Sequence, residues 1–352
     1  MDDSEENGTM SLGLPPITRR RALLGAAGVA ATAVLAGCTN SANDTAQQTA
    51  STAGGPFDFT DDRGQAVHLD GKPTRIVAYA GSAAALWEYG IRPVGVFGPQ
   101  KLADGSPDPQ VGRVDLSAVT SLGNAFNEFD VPAYIKLAPE LLISMVVNAN
   151  GLWYVPQDSA DEITGKAPTV GIRMVRESAT KVIERYEALA KALGADTETD
   201  AIKQARSEFQ TATTRLTDVA KSKGGLRVLA VYGSKDKPYI GNPLAHASLR
   251  YLYEAGVPIT NVGDQADTVT WAPDLSWEQI NRYPADLILY DVRTQALTLD
   301  QLKQIDVFNQ LPAVKAGALV PWRTENPYTY YSYTQIANEV ADAVAKATPG
   351  LV

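Results

Sequence analysis

The sequence predicts an α/β protein made of two similar lobes, joined by a single long helix and with a ligand cleft between them. The first observation is the stretch from Thr197 to Lys221, whose apolar residues recur at alternating steps of three and four. That stripe consists of Ile202, Ala205, Phe209, Ala212, Leu216 and Val219. Thr197 and Asp200 can form a capping box at its start, and the pair Gly224-Gly225 ends it. At about 1.5 Å per residue the helix is roughly 38 Å long, which is enough to span two domains.

The second observation is an internal repeat on the two sides of this helix. Three kinds of segment recur in the same order: a buried strand with a Gly-Ser loop, a helix end with its glycine, and a helix that leads through a proline into a strand. The matching pairs are Arg75–Ser82 with Arg227–Ser234, Leu86–Ile91 with Leu252–Val257, and Ile135–Ile143 with Ile280–Leu289. Three matches in one order favour two similar α/β halves over chance.

Charge and composition disfavour one class of partner. The chain has 352 residues, of which 45% are hydrophobic, so it can bury two cores of ordinary size. Its 31 Lys and Arg residues against 40 Asp and Glu residues give a formal net charge of −9. A nucleic-acid-binding protein needs a concentration of positive charge instead, so no nucleic acid partner is expected.

The sequence also lacks the motifs of an enzyme. Its two histidines, His68 on a predicted hairpin and His246 at a helix start, have no spacing that a zinc site or a catalytic triad requires. Each is interpreted as a surface or capping residue. Neither a Walker phosphate loop nor Gly-x-Gly-x-x-Gly occurs, and the paired carboxylates Asp61-Asp62 are of a kind that arises by chance in an acidic chain. We therefore expect no catalysis.

Residues 1–37 are predicted to be a twin-arginine lipoprotein signal peptide. Arg19, Arg20 and Arg21 precede a short apolar run, which ends in the small residues before Cys38. The alternative is a transmembrane helix, but about 15 apolar residues reach only ~22 Å against a hydrocarbon core of ~30 Å. Because Cys38 is the only cysteine, it cannot form an internal disulfide, and we interpret it as the lipidated residue rather than a buried free thiol. Residues 38–55 then form a flexible tether.

The folded part follows the tether as an N-terminal lobe over residues 56–195, the interlobe helix over 196–222 and a C-terminal lobe over 223–352. The N-terminal lobe opens with a predicted hairpin, Phe57–Leu69. After it come "KPTRIVAYAG", "LWEYGIRPVGV" and "IKLAPELLI". This order resembles the N-terminal lobe of the periplasmic-binding-protein family that serves ABC importers of ferric siderophores, haem and cobalamin. The resemblance extends from about Phe57 to the C-terminus.

The resemblance implies a monomeric, membrane-anchored solute-binding protein outside a bacterial cytoplasmic membrane. Its ligand would be a ferric siderophore, a small-molecule metal chelate, and its partners the transmembrane subunits of an ABC permease. No resident cofactor is expected, and no side chain need bind iron, because a siderophore already saturates the metal. Haem or cobalamin remains the alternative ligand, since the stretch after Arg323 is rich in tyrosine. A surface-anchored enzyme or adhesion module is the alternative from another class.

Candidate ligand-binding residues lie on the loops after the predicted strands, where open α/β sheets bind ligands. They are Trp153, Tyr154, Tyr232, Lys235, Lys237, Tyr239, Trp271, Arg293, Arg323, Tyr328 and Tyr330. Aromatic rings bury area at low entropy cost and arginine pairs with oxygen anions, so this mixture suits a large, flat, partly anionic ligand. Trp153 and Tyr154 have an alternative role in packing against their own lobe, and part of the aromatic set must be core.

The resemblance also implies permease docking through one glutamate on the outer face of each lobe. In the C-terminal lobe, "SWEQINRYPADLIL" places Glu278 at the matching position, on the first turn of a helix. In the N-terminal lobe the matching position is Pro132, so the docking carboxylate there is either Asp130 or Glu128. The alternative for these two acids is that they only stabilise the N-terminus of the helix.

Overall fold

A computed structural model describes residues 54–147, 151–262, 270–272 and 275–352. The predicted signal peptide, Cys38 and all of the tether except Gly54 and Gly55 lie outside the described residues. Within the described ranges, no helix combines the length and the apolar character that crossing a membrane requires.

The first secondary structure in the described part of the chain is the predicted hairpin. Strands β1 (Phe57–Thr60) and β2 (Ala66–Leu69) pair antiparallel, with Phe57 opposite Leu69. The buried carboxylate of Asp61 fixes the turn, because it accepts from the backbone amide of Gly171 at 2.8 Å and from Arg63 Nε at 2.7 Å. These bonds attach the hairpin to the edge of the N-terminal sheet.

The N-terminal lobe is a five-stranded parallel sheet with helices on its faces. Its strands are β3 (Ile76–Tyr79), β4 (Gly95–Phe97), β5 (Thr120–Ser121), β6 (Leu141–Val146) and β7 (Thr169–Arg173), in the order β5-β4-β3-β6-β7. Its helices are α1 (Ala80–Glu88), α2 (Val131–Lys136), α3 (Ala160–Thr164) and α4 (Ala179–Ala192). Every residue of β3 and β6 is buried, as a parallel sheet covered on both faces requires.

The long helix α5 spans Asp200–Ser222. Thr199 is the residue that caps it, accepting from the amide of Ile202 at 3.4 Å, so the prediction that Thr197 caps the helix is wrong. Thr199 has the extended backbone that an N-cap needs, whereas Thr197 lies two residues earlier in the preceding turn. The predicted apolar stripe is confirmed as the inward face, with Ala205 and Val219 at its half-buried edge.

Helix α5 makes side-chain contacts at both ends and in the middle. Near its start, Arg206 Nη2 lies 2.5 Å from a carboxylate oxygen of Glu187 on α4. In the middle, the ring of Phe209 lies 5.6 Å from that of Tyr251. After its end, Lys223 Nζ donates to the carbonyl of Ala347 at 3.0 Å. The helix is therefore held by the N-terminal lobe at one end and by the C-terminal lobe at the other.

The C-terminal lobe has a four-stranded sheet. Its strands are β8 (Val228–Gly233), β9 (Pro238–Ile240), β10 (Leu287–Asp291) and β11 (Leu319–Trp322), in the order β11-β10-β8-β9, and only β9 runs antiparallel to its neighbour. Its helices are α6 (Ala247–Glu254), α7 (Leu299–Leu302), α8 (Asp306–Gln310), α9 (Pro312–Lys315), α10 (Tyr330–Lys346) and a 3₁₀ helix, Trp277–Arg282. The last helix, α10, packs along α5.

The two lobes repeat one another in part. Strands β3 and β8 correspond, and so do the parallel strands β6 and β10 beside them. The counterpart of β4 is reduced to a single parallel bridge between Ile259 and Val228, and the antiparallel β9 has no equivalent among the described strands of the N-terminal lobe. Pro132 is the second residue of α2, the helix before β6. Glu278 is likewise the second residue of the 3₁₀ helix before β10, so the two residues occupy corresponding positions in the two lobes.

Candidate functional site

The carboxyl ends of the parallel strands in both lobes supply side chains to one region between the lobes. In the N-terminal lobe, β3 ends at Tyr79 and the loop after β6 carries Trp153. In the C-terminal lobe, β10 ends at Asp291, and Glu325 follows β11. This edge of an open α/β sheet is where ligands bind. Here the edges of two sheets meet, because side chains of one lobe hydrogen bond to side chains of the other.

The buried carboxylate of Glu325 connects the two edges. Glu325 accepts from Arg293 Nη1 at 2.7 Å within its own lobe. From the other lobe it accepts from Trp153 Nε1 at 3.2 Å and from the Tyr79 hydroxyl at 3.0 Å. Burial, followed by the charge of Glu325, raises the pKa of Tyr79 well above its ordinary value, so this hydroxyl keeps its proton. The hydroxyl also contacts Oε1 of the Gln110 side-chain amide.

Arg293 is paired within its own lobe. Its Nε and Nη2 atoms lie 2.8 and 2.7 Å from Asp291 Oδ2, and its Nη1 atom reaches Glu325. Burial lowers the pKa of Arg293, but the two carboxylates outweigh that effect and raise it above the ordinary value. The guanidinium therefore stays charged, and the carboxylates of Asp291 and Glu325 balance its positive charge. The predicted anion-binding arginine is at the cleft, but its charge is already paired with two carboxylates.

Three aromatic rings of the C-terminal lobe lie beside this pair, and we call Tyr232, Tyr239 and Trp271 the C-lobe wall. Their ring centroids are 5.3 to 5.9 Å apart, and the Arg293 guanidinium lies 5.3 Å from the Tyr232 ring. All three side chains are half-buried, so each keeps an exposed surface. Lys237 Nζ lies 5.1 Å from the Tyr239 ring, whereas Lys235 is exposed.

A second triple of rings, the N-lobe wall, consists of Phe126, Trp153 and Tyr154. The centroids are 5.4 to 5.6 Å apart, and the rings border an open cavity of about 1090 Å³. Phe126 is 55% exposed, which is unusual for phenylalanine, and sequence reasoning missed it because it stands alone in a polar loop. Tyr154 has φ of +62°, a conformation that costs energy in a bulky residue. Trp153 of this wall donates to Glu325, which pairs with Arg293, and Arg293 lies over the ring of Tyr232 in the other wall. The two walls therefore lie on either side of the Arg293–Glu325 ion pair.

Sequence comparison assigns this architecture to a known family. The sequence profile of the family described as periplasmic binding protein matches residues 76–325, from the first residue of β3 to Glu325. The chain belongs to the periplasmic binding protein family. Among curated protein sequences, none matches it.

Solved structures of periplasmic binding proteins share the fold. DesE, a ferric-siderophore receptor protein from Streptomyces coelicolor, is 37% identical with a TM-score of 0.80, over 84% of this chain and 99% of that one. The siderophore periplasmic binding protein from the fuscachelin gene cluster of Thermobifida fusca is 22% identical, with a TM-score of 0.54 over 78% and 96% of the two chains. The petrobactin-binding protein YclQ from Bacillus subtilis is 18% identical, with a TM-score of 0.61 over 83% and 99%. These likenesses confirm the predicted fold class.

Membership of this family makes the chain a binding protein rather than an enzyme, and one of a family that works outside the cytoplasm. Among the residues that the structure describes, no three or more His, Cys, Asp or Glu side chains are grouped so that they could hold a metal ion.

Three predicted ligand residues of the binding protein lie away from the walls. Tyr328 is 1% exposed and its ring stacks on Tyr333, so it is a core residue. Tyr330 is 6% exposed, and its hydroxyl donates to Glu187 on α4 at 2.6 Å. Arg323 turns toward α10, where its Nη1 atom lies 2.6 Å from a carboxylate oxygen of Glu339. The structure corrects the interpretation of both tyrosines, because the Tyr328 ring stacks on Tyr333 of α10 and the Tyr330 ring lies 5.7 Å from that of Phe209 on α5.

His246 supports the C-lobe wall from behind. It is 6% exposed, and its ring lies 4.5 Å from Trp271 and 5.2 Å from Trp322. Its Nε2 atom is 3.1 Å from the carbonyl oxygen of Thr270, to which it donates. The interpretation of His246 as a surface or capping residue is corrected: it takes the N-cap position of α6, but its side chain is in the core and makes no cap bond. His68 is exposed, as expected.

Burial, followed by the charge of Arg293, lowers the pKa of His246 from 6.5 to about 3, and this makes acid destabilising. As the pH falls below 6.5, the unfolded chain binds a proton at this residue while the folded chain does not. The free energy of unfolding should therefore fall by about 2 kcal/mol from this group between roughly pH 7.5 and pH 5. Urea unfolding at the two pH values should show this loss in the wild type and not in His246→Asn. His68→Asn is the matched control and should keep it; equal losses in the wild type and His246→Asn would contradict the assignment.

The predicted docking carboxylates are exposed. Glu278 lies on the first turn of the 3₁₀ helix, where the hydroxyl of Ser276 lowers its pKa. Asp130 caps α2 by accepting from the amide of Ala133 at 2.9 Å. Glu128 accepts from the amide of Ala125 at 3.0 Å. Both acids of the N-terminal lobe therefore have local structural roles, and both present carboxylate oxygens to solvent.

Proposed function

We propose that this protein is the substrate-binding protein of an ABC importer, and that it captures a ferric siderophore and delivers it to the transmembrane subunits of the permease. The observation that carries the proposal is the pair of aromatic walls at the interlobe cleft. It stands in a chain that is 37% identical to a ferric-siderophore receptor along 99% of that receptor. The described residues offer aromatic faces rather than metal ligands, which suits a ligand whose iron is already coordinated.

Recognition of such a chelate depends on its outside. A ferric siderophore presents curved apolar surface and a few oxygen atoms, and aromatic rings with two rotatable bonds bury such surface at low entropy cost. The exposed edges of Phe126 and Trp153 come from one lobe, and Tyr239 and Trp271 come from the other. The chelate would therefore rest between the walls, above the Arg293–Glu325 pair, as transported cargo and not as a resident cofactor.

Fluorescence titration of the purified protein tests this function, because Trp153 and Trp271 report on the two walls. A panel of ferric siderophores, haem and cobalamin should produce saturable quenching only with ferric siderophores, and no chemical change in the bound chelate. Saturation by haem or cobalamin alone would overturn the choice of ligand, and turnover of a substrate would overturn the whole proposal. The haem alternative depended on tyrosines such as Tyr328 and Tyr330, which are buried.

We further propose that the protein acts from a lipid anchor on the outer face of the cytoplasmic membrane, after export by a twin-arginine signal. The proposal rests on Arg19-Arg20-Arg21, the apolar run and the small residues before Cys38. Cys38→Ser should release the protein into the medium or leave its signal uncleaved, as measured by membrane fractionation. Metabolic labelling with a fatty acid should mark the wild type alone, and equal labelling of both would contradict lipidation at Cys38.

A further inference from the structure

We propose that the chelate bound in this cleft carries zero or positive net charge, as a ferric trishydroxamate does, and that strongly anionic chelates such as ferric triscatecholates are rejected. This inference rests on the proposed function and refines it. It follows from the charges that the fold places between the two walls.

We call the buried charged cluster between the walls, Asp108, Asp291, Arg293 and Glu325, the floor. It holds more negative than positive charge. Three carboxylates, Asp108, Asp291 and Glu325, are at most 3% exposed, and Arg293 pairs with the last two of them. Arg323 lines the same small pocket, but its guanidinium pairs with Glu339. Asp108 comes from the N-terminal lobe and accepts from the Thr294 hydroxyl of the other lobe at 2.7 Å, so it belongs to the same interface. The three carboxylates outnumber the guanidinium that pairs with two of them, so the floor provides no excess positive charge for an anion.

The positive charge of Arg293 is already paired with two buried carboxylates. Its Nε and Nη2 atoms donate to Asp291, and its Nη1 atom donates to Glu325. The two carboxylates already balance the charge of Arg293, and an anion that displaced either of them would break a buried pair, which is strongly unfavourable. The arginine thus fixes the position of Glu325, which in turn accepts from Trp153 and Tyr79.

The remaining cations that the sequence suggested as ligand contacts do not reverse this balance. Arg323 is paired with Glu339, and Lys235 is exposed to solvent, where its charge is screened by salt. Lys237 lies beside the Tyr239 ring at the edge of the C-lobe wall. The faces of Tyr232, Tyr239 and Trp271 carry negative π density and attract cations. A ligand with a free ammonium group therefore suits both the walls and the floor.

Three ferric chelates distinguish charge from size: a trishydroxamate with a free amine, its N-acetylated form, and a triscatecholate. Three singly charged hydroxamate groups neutralise Fe³⁺, so the first is cationic and the second is neutral, whereas the triscatecholate has a net charge of minus three. Titration by tryptophan fluorescence should rank the amine form first, the N-acetylated form within about tenfold of it, and the triscatecholate weaker by roughly a hundredfold or more.

Variants locate the cause. Glu325→Gln removes one carboxylate charge of the floor while keeping an oxygen that accepts from Trp153. It should reduce the ratio of the dissociation constants of the triscatecholate and the amine form by about tenfold. Asp108→Asn should act in the same direction and serves if the first variant does not fold. Asp342→Asn removes an exposed charge on α10 and should leave this ratio unchanged.

Three results would overturn the inference. Equal or tighter binding of the triscatecholate would defeat the charge argument while leaving the proposed function intact, since a ferric siderophore would still be bound. Failure of all three chelates to bind would defeat both. An unchanged ratio in Glu325→Gln and Asp108→Asn would show that the floor does not select the ligand.

Discussion

Replacing Glu278 by arginine is expected to reduce uptake of the ferric chelate by cells at least about tenfold, while the affinity of the purified protein for the chelate stays unchanged. Glu278 is exposed in the first turn of the 3₁₀ helix, and its side-chain partner is Ser276, which belongs to neither aromatic wall. In the proposed docking role this charge would set the encounter and register with the permease, so its reversal would turn attraction into repulsion. Radioactive iron uptake and fluorescence titration measure the two effects.

The matched control for Glu278→Arg is Glu254→Arg, which reverses another exposed glutamate of the same lobe and breaks only its pair with Arg250 at 3.0 Å. It should leave uptake unchanged. Uptake at the wild-type rate in Glu278→Arg would contradict the docking role. In the N-terminal lobe, where Pro132 takes the matching position, Asp130→Asn keeps an oxygen for the cap of α2 and tests the charge alone. We expect it, or Glu128→Gln, to produce a smaller loss of uptake.

Removing the indole of Trp271 is expected to weaken binding of the chelate by about 2 to 4 kcal/mol, which is roughly 30- to 700-fold in the dissociation constant. Its ring is half-buried against both tyrosines of the C-lobe wall and against His246, so it is a rigid surface with one open side. Trp271→Phe should retain most of the affinity because it keeps an aromatic face. Isothermal titration calorimetry measures all of these variants.

Tyr253→Ala is the control for the wall. Tyr253 is 39% exposed on α6, outside the two walls, and its loss should not change the affinity. Thermal unfolding must show that Trp271→Ala keeps its fold, since the same ring packs on Trp322. An affinity within about threefold of the wild type in a folded Trp271→Ala protein would show that this wall does not bind the ligand.

The sequence alone determined the elements whose signals are local. The stripe of α5 and the alternation in the hairpin depend on residues only a few positions apart, so their periodicity is visible in one dimension. The repeat of the two halves was equally visible, since it is a likeness between short segments. The cap of α5 was misplaced by two residues because Thr197 and Thr199 are the same residue type, and only the backbone angles distinguish them.

The tertiary structure decided which side chains are available to a ligand. Trp153 and Glu325 are 172 positions apart, and Tyr79 and Glu325 are 246 apart, so no spacing rule could indicate that they share one carboxylate. The same holds for Arg293, which the sequence presents as a free cation and the fold pairs with two acids. Tyr328 and Tyr330, which the sequence suggested as ligand contacts, are buried in the fold instead. Composition identified the residue types of a binding site, whereas the long-range contacts determined which of them are exposed and what net charge they leave.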